Sequence, residues 1–383
     1  MWLNVRSPSL PIKVGRFERS TIFLRDCTNT DTGSHLESHQ IELANGSSIN
    51  IGIETELLIQ SKTLSSCSMT EMIELLAQSH NAELPQGFPR MKENLRPNTK
   101  DATYEEWLWT IDSTIQTCYA PWGLELVSPI LNVLPNSPWR NHITKTWEFL
   151  ECDYEMSFDR SCGTHVHVSR KRPFYGVRDI RRIASAAMWF EAALEAIVPE
   201  SRRENDFCRG NYINSPGAKF GRVSRAELIR ALEGEKKIQA LMCLIQQEDR
   251  HFSWNFWSIY KHRSIEFRKP PPSTTLAEVL SWVEYTMTFV EAAMHNGTPD
   301  QLATYPQNVG GLKRFLRSIH IQGISQPERM NRLWAGHSDD EAIEPLILSQ
   351  PRDMFGDRPD SGSSSAGTAG SSRTSSHSSR GNR

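Results

Sequence analysis

Ile51-Gly52-Ile53-Glu54-Thr55-Glu56-Leu57 is the stretch that decides the fold. Side chains along a strand alternate between faces. Ile51, Ile53, Thr55 and Leu57 therefore share one side, while Glu54 and Glu56 share the other, roughly 7 Å apart along the strand. Three further segments repeat the pattern. In Gly123-Leu124-Glu125-Leu126-Val127 the leucines oppose Glu125, and in Gly163-Thr164-His165-Val166-His167-Val168 the valines oppose both histidines. In Ser264-Ile265-Glu266-Phe267-Arg268 the apolar pair opposes Glu266 and Arg268. Alone, alternating glutamates are ordinarily a solvated strand face, and Glu266-Phe267-Arg268 is an ordinary cross-strand salt bridge. Four segments that each keep one side apolar describe a sheet with a covered face and a chemical face.

Helical segments separate the strands Ile51–Ile59, Leu124–Ile130, Thr164–Ser169 and Ser264–Arg268. Ser224-Arg-Ala-Glu227 and Thr275-Leu-Ala-Glu278 are capping boxes, in which side chain and backbone at a helix start satisfy each other. The first opens a helix carrying Leu228, Leu232, Leu241 and Ile245, and the second runs to Asn296-Gly297. Ser137-Pro138 starts a helix through Glu151, with proline at the first helical position. Val177–Val198 is also helical, with Ile180, Ile183, Ala187, Phe190, Leu194 and Ile197 at buried spacing. The connections are long and uneven, unlike a doubly wound sheet. They predict an α+β class with a mainly antiparallel, curved sheet and helices on one face.

The chain has 383 residues and a formal net charge of −2. That balance excludes a dedicated nucleic-acid binder, which carries a basic excess. No apolar run is long enough for a membrane span. Seven cysteines without a CxxC pair indicate neither a zinc ribbon nor a disulfide framework and fit a reduced, cytoplasmic setting. Ser361–Ser379 contains ten serines among nineteen residues, a composition that buries almost nothing. The sequence thus divides into a loosely ordered segment over 1–45, with a possible strand at Ser20–Leu24, a folded domain over 46–350 and a disordered tail over 351–383.

Four carboxylates gathered on one face repel unless cations neutralise them. An oxygen-rich set with imidazole suits Mg²⁺ or Mn²⁺ better than zinc. Such ions most often serve phosphate chemistry, with an arginine taking developing charge. Zinc hydrolysis on His165 and His167 is the competing reading of that pair.

Together, Gly-Ile-Glu54-Thr-Glu56, Gly-Leu-Glu125-Leu-Val-Ser-Pro, Cys-Gly-Thr-His165-Val-His167-Val-Ser and Ser-Ile-Glu266-Phe-Arg268 resemble the amidoligase family of glutamine synthetase-like carboxylate–amine ligases. Trp109-Thr-Ile-Asp112-Ser and Ser201-Arg202-Arg203-Glu204-Asn205-Asp206-Phe207-Cys208 resemble supporting segments, and the likeness spans about residues 49 to 300. The resemblance implies a glutamine synthetase-type catalytic sheet, ATP as co-substrate and two Mg²⁺ or Mn²⁺ ions. It implies that Glu56 and Glu125 hold one metal, and that Glu54, His165 and Glu266 hold the other. It gives His167 a nucleotide contact, Arg268 the transferring phosphoryl group, and Arg202 or Arg203 a phosphate or substrate carboxylate. The implied reaction converts a small-molecule or peptide carboxylate to an acyl phosphate, which an amine then attacks. No glutamine synthetase-type N-terminal domain or ammonium gate is recognisable, so a peptide, amino acid or polyamine amine is as good a nucleophile as ammonia. Oligomeric state is not encoded in these motifs.

Other readings compete. A guanidino-kinase-like phosphotransferase would leave a stable phosphorylated product, and a binding module would turn over nothing. Trp254, Phe256 and Trp257 form either a substrate wall or, more often for aromatics before a core strand, packing. Cys162 beside His165 lacks an orienting acid and falls on the opposite strand face, which argues against a Cys–His nucleophile.

Overall fold

The computed structural model describes residues 39–41, 49–63, 67–94, 104–112, 114–115, 117–171, 174–219 and 221–350. The expected strand at Ser20–Leu24 and the Ser-rich tail lie outside them. In chain order the elements are β1 (His39–Ile41), β2 (Ile49–Ser61), α1 (Met69–Glu83), β3 (Met91–Asn94), β4 (Trp107–Thr110), β5 (Trp122–Val127) and β6 (Leu131–Val133). There follow α2 (Trp139–Asp153), β7 (Tyr154–Ser157), β8 (Thr164–Arg170), α3 (Val177–Trp189), α4 (Glu191–Ile197), α5 (Glu200–Arg203), α6 (Arg225–Gly234) and α7 (Ile238–Ile245). The last are β9 (Trp254–Asn255), α8 (Ser258–His262), β10 (Ser264–Phe267), α9 (Leu276–Asn296), α10 (Pro299–Leu302), α11 (Val309–Arg317) and β11 (Ile319–Ile321).

Among the described residues, nine strands form one sheet in the order β3-β4-β5-β2-β8-β10-β9, with β6 and β7 also paired to β2. Only β3 and β4 run parallel within it. The fold is α+β with a mainly antiparallel sheet, as the alternating segments predict. The long strand β2 is central because both its edges are used, by β5 on one side and β8 on the other. Ile51, Ile53, Leu124, Leu126, Val166, Val168, Ile265 and Phe267 are all buried. Each such side chain contributes roughly 1.5–3 kcal/mol relative to exposure.

The longest helix, α9, runs beneath this apolar face and packs on β8, α2 and α3. Its N-terminus is closed by the Thr275/Glu278 capping box, and it ends at Asn296 before Gly297, as the sequence predicts. Its two fully buried acids are paired, Glu284 with Arg140 and Glu291 with Arg170, which lifts the cost of burying charge.

Two expected helices are divided. The segment opened by Ser224 stops at Gly234, a residue that favours helix ends, and restarts at Ile238. The Val177–Val198 segment breaks at Phe190, whose ring packs 4.7 Å from Phe315. Helix α1 has its own capping box, Ser68 with Glu71, a signal present in the sequence and absent from the expectation above. Within the stretch 1–45, His39–Ile41 pairs in parallel with Ile319–Ile321. No helix among the described residues is long and apolar enough to cross a membrane.

Candidate active site

Strand register brings the chemical residues together. Glu54 lies opposite His165 and Gly52 opposite His167 in the β2–β8 ladder. Glu56 lies opposite Glu125 across β2–β5, and Glu266 opposite His167 across β8–β10. The two histidines therefore stand between the β2 glutamates and Glu266. His165 Nδ1 is 3.4 Å from Glu54 Oε2 and 3.8 Å from Glu266 Oε1, and its Nε2 is 4.0 Å from Glu56 Oε1. His167 Nε2 is 3.3 Å from Glu54 Oε1 and 3.9 Å from Glu266 Oε1.

These groups line a cavity of about 510 Å³ together with Tyr104, Asp112, Arg250, Asn255, Lys261 and Arg268. An adjoining cavity of about 270 Å³ shares Glu54, Tyr104, His167, Lys261 and His262 with it and continues over Asn50, Gly52 and Ser169.

The protonation of the acids is uneven. Burial pushes the Glu54 carboxyl up, but His167 and His165 more than offset it and hold it well below the usual range. Glu266 is likewise penalised by burial, yet the Arg268 guanidinium and His167 bring it down to about 2. Arg268 bonds Glu266 Oε1 at 2.5 Å, and Asn255 donates to Glu266 Oε2 at 2.6 Å. Glu125 is held well above the usual carboxylate range, first by burial and then by Glu54, Glu56 and Asp112. Burial also raises Glu56. Internal cations thus offset burial at Glu54 and Glu266, fall short of doing so at Glu56, and leave Glu125 among three acids.

Three overlapping donor groups place their ligand atoms within 4.8 Å of one another: Glu54, His167 and Glu266; Glu54, Glu125 and His165; and Glu56, Asp112 and Glu125. The His167 Nε2 atom is buried without a hydrogen-bond partner among the described residues, although two carboxylates face it. Its Nδ1 side is occupied by Ser264 Oγ at 3.0 Å. An imidazole nitrogen that faces two carboxylates without a well-formed hydrogen bond to either fits a divalent cation, and the oxygen-rich set fits Mg²⁺ or Mn²⁺. These groupings differ from the expected sets in two places: Asp112 joins Glu56 and Glu125, and His167 stands with Glu54 and Glu266.

The family model described as "Putative amidoligase enzyme" matches residues 48–290. The chain belongs to this amidoligase family. Its broad activity class is accordingly ligation of a carboxylate to an amine. A solved structure titled "Crystal structure of novel glutamine synthase homolog" is similar at 13% identity, covering 77% of this chain and 69% of that chain with a TM-score of 0.30. No curated protein matches the chain.

Two arginines expected in the amidoligase site stand elsewhere. Arg202 is 3% exposed, and its guanidinium donates to the backbone carbonyls of Cys162, Arg268 and Lys269 at 2.9, 2.6 and 3.3 Å. Arg203 donates to the Val198 carbonyl at 3.1 Å, and neither arginine lines the cavity. The basic side chains that do line it beside Arg268, namely Arg250 and Lys261, were not among the expected site residues. Nor was Asp112, although the alternation that selects Glu125 extends to it: Leu108 and Thr110 of β4 both line the cavity, and Asp112 continues their parity.

The aromatic segment before β10 divides. Trp254 and Phe256 are buried, with Trp254 stacked on Phe267 and Phe289, whereas Trp257 lines the cavity. Cys162 is fully buried, and burial pushes its thiol up to about 12, which leaves it protonated and unsuited to attack.

Proposed function

We propose that this amidoligase is an ATP-dependent carboxylate–amine ligase whose catalytic unit spans residues 46–350. The reading rests chiefly on one observation, the convergence of Glu54, Glu56, Asp112, Glu125, His165, His167 and Glu266 beside Arg268 in a single cavity. Glu54, His167 and Glu266 would hold one divalent cation, and Glu56, Asp112 and Glu125 the other, with His165 between them. Bound Mg²⁺ or Mn²⁺ supplies positive charge that offsets the clustered acids and the phosphate oxygens of ATP.

The remaining work falls to the chain. Arg268, fixed by Glu266, would stabilise negative charge on a transferring phosphoryl group. A substrate carboxylate oxygen bonds to the γ-phosphorus as the bond to ADP breaks, giving an acyl phosphate. The amine then attacks the acyl carbon, phosphate leaves, and the amine gives up a proton. Lys261 and His262, shared between the two cavities, would contact the nucleotide at the 270 Å³ cavity.

The test is ADP release by the purified chain with Mg²⁺ across panels of carboxylates and amines. The expected result is release that needs both substrates and is lost in Glu56→Ala and Glu266→Ala. No nucleotide binding and no stimulation by any pair would defeat the reading. A stable phosphorylated product without an amide would instead favour the phosphotransferase.

A further inference from the structure

Arg202 is a buried cation whose guanidinium hydrogen bonds all go to neutral backbone carbonyls, although its charge also acts on Glu56. Those carbonyls come from two remote segments. Cys162 opens the turn into β8, three residues before His165, while Arg268 and Lys269 follow β10 directly after Glu266 and Phe267. The paired ladder of β8 and β10 ends at Val166–Phe267, and beyond it Thr164 N–H donates to the Pro270 carbonyl at 3.3 Å, so Arg202 adds three further bonds where the two segments begin to part. A planar guanidinium with five fixed donors can hold three acceptors in one geometry, whereas an ammonium cannot reproduce that fork. The neighbouring sequence makes room for it. A Cβ on Gly163 would lie 2.8 Å from Arg202 Nη2, which bonds the Arg268 carbonyl, and 3.1 Å from Nη1, which bonds that of Cys162, so glycine there makes room for the guanidinium.

We propose that Arg202 is a positioning residue for the acidic cavity. By fixing the carbonyls of Cys162, Arg268 and Lys269, it sets His165 against Glu266 and Arg268 without itself touching substrate. The inference rests on the two-cation ligase reading. It assigns this arginine a role different from binding a phosphate or substrate carboxylate.

The experiment measures Mn²⁺ affinity of the full chain by titration calorimetry, with circular dichroism and thermal melting on the same samples. The variants are Arg202→Met, Arg202→Lys and Gly163→Ala. Arg181→Met serves as control, since Arg181 donates to the Glu233 and Glu235 carbonyls and lines neither cavity. Misplacing ligands through their supporting shell typically costs 10–100-fold in metal affinity. Arg202→Met and Gly163→Ala should each weaken Mn²⁺ at least tenfold while the spectrum stays native. Arg202→Lys should recover part of that loss, and Arg181→Met should bind as wild type does. If Arg202→Met does not fold, Gly163→Ala and Arg202→Lys carry the same comparison.

Native-like variants with wild-type Mn²⁺ affinity would overturn the inference, even if their melting temperatures fell. So would a defect confined to the KM of an anionic substrate, which would return Arg202 to a substrate-binding role. Failure of the wild-type chain to bind Mn²⁺ would defeat the two-cation reading itself, and this inference with it, and is read from the wild type alone.

Discussion

His165 stands directly opposite Glu54 in the β2–β8 ladder, with Nδ1 3.4 Å from Glu54 Oε2 and Nε2 turned toward Glu56. One imidazole thus touches both halves of the acid cluster. The half with Glu54 and Glu266 has histidines and Arg268 for company. In the other half Glu125 faces mainly other acids, while Glu56 is raised by its burial in spite of His165, Arg268 and Arg202. This asymmetry governs the first prediction.

Glu125→Gln removes a carboxyl that burial and three neighbouring acids disfavour in its charged form. Without added metal, the variant should melt at a higher temperature than wild type. Metal should reverse the order: Mn²⁺ at about 100 times its Kd adds about 2.7 kcal/mol to a protein that binds it only when folded, and the variant should lose most of that gain. Thermal melts in EDTA and in Mn²⁺ check both signs. Site acids commonly trade stability for function in this way.

The second prediction concerns acid stability. His80 is fully buried, with Nε2 3.3 Å from Thr146 Oγ1 and its ring edge-on to Phe149. Burial pushes its pKa down to about 4. An unfolded histidine takes its proton near 6.5, so below that pH the unfolded chain binds a proton that the fold refuses. Stability present above pH 6.5 is therefore lost as pH falls toward 4, by about 3 kcal/mol at this site. Urea denaturation at pH 7 and pH 4 should show a smaller drop for His80→Leu than for wild type, by about that amount.

The third separates packing from a binding wall. Trp254 lies 4.3 Å from Phe267 and 4.6 Å from Phe289, ring to ring, and is 1% exposed. Trp254→Ala should cost about 3–5 kcal/mol. Trp257→Ala, at the cavity edge, should cost less than about 1 kcal/mol yet lower kcat/KM. Chemical denaturation and steady-state kinetics on the pair check the split.

Much of this site is legible in the sequence because a strand's period of two is written into it. Ile51, Ile53 and Leu57 against Glu54 and Glu56 fix which face is buried, and the same parity carries His165, His167, Glu125 and Glu266. Asp112 was within reach of that rule but lies just past the end of β4, where the strand signal fades. Arg202 was not legible. A guanidinium near a cluster of motifs reads as an anion binder, and nothing local shows that its acceptors are carbonyls 40 and 66 residues away in the chain. The division at Phe190 illustrates the same limit, because apolar spacing continues through it, whereas Glu233-Gly-Glu-Lys-Lys237 interrupts the apolar pattern and marks the other division in the sequence itself.

The most direct test of the ligase account follows oxygen. A carboxylate that stimulates ADP release is labelled with ¹⁸O in both oxygens, and the phosphate released is analysed by mass spectrometry. An acyl phosphate passes one carboxylate oxygen to phosphate when the amine displaces it, so the account predicts one labelled oxygen in each phosphate formed. Unlabelled phosphate alongside amide product would contradict it.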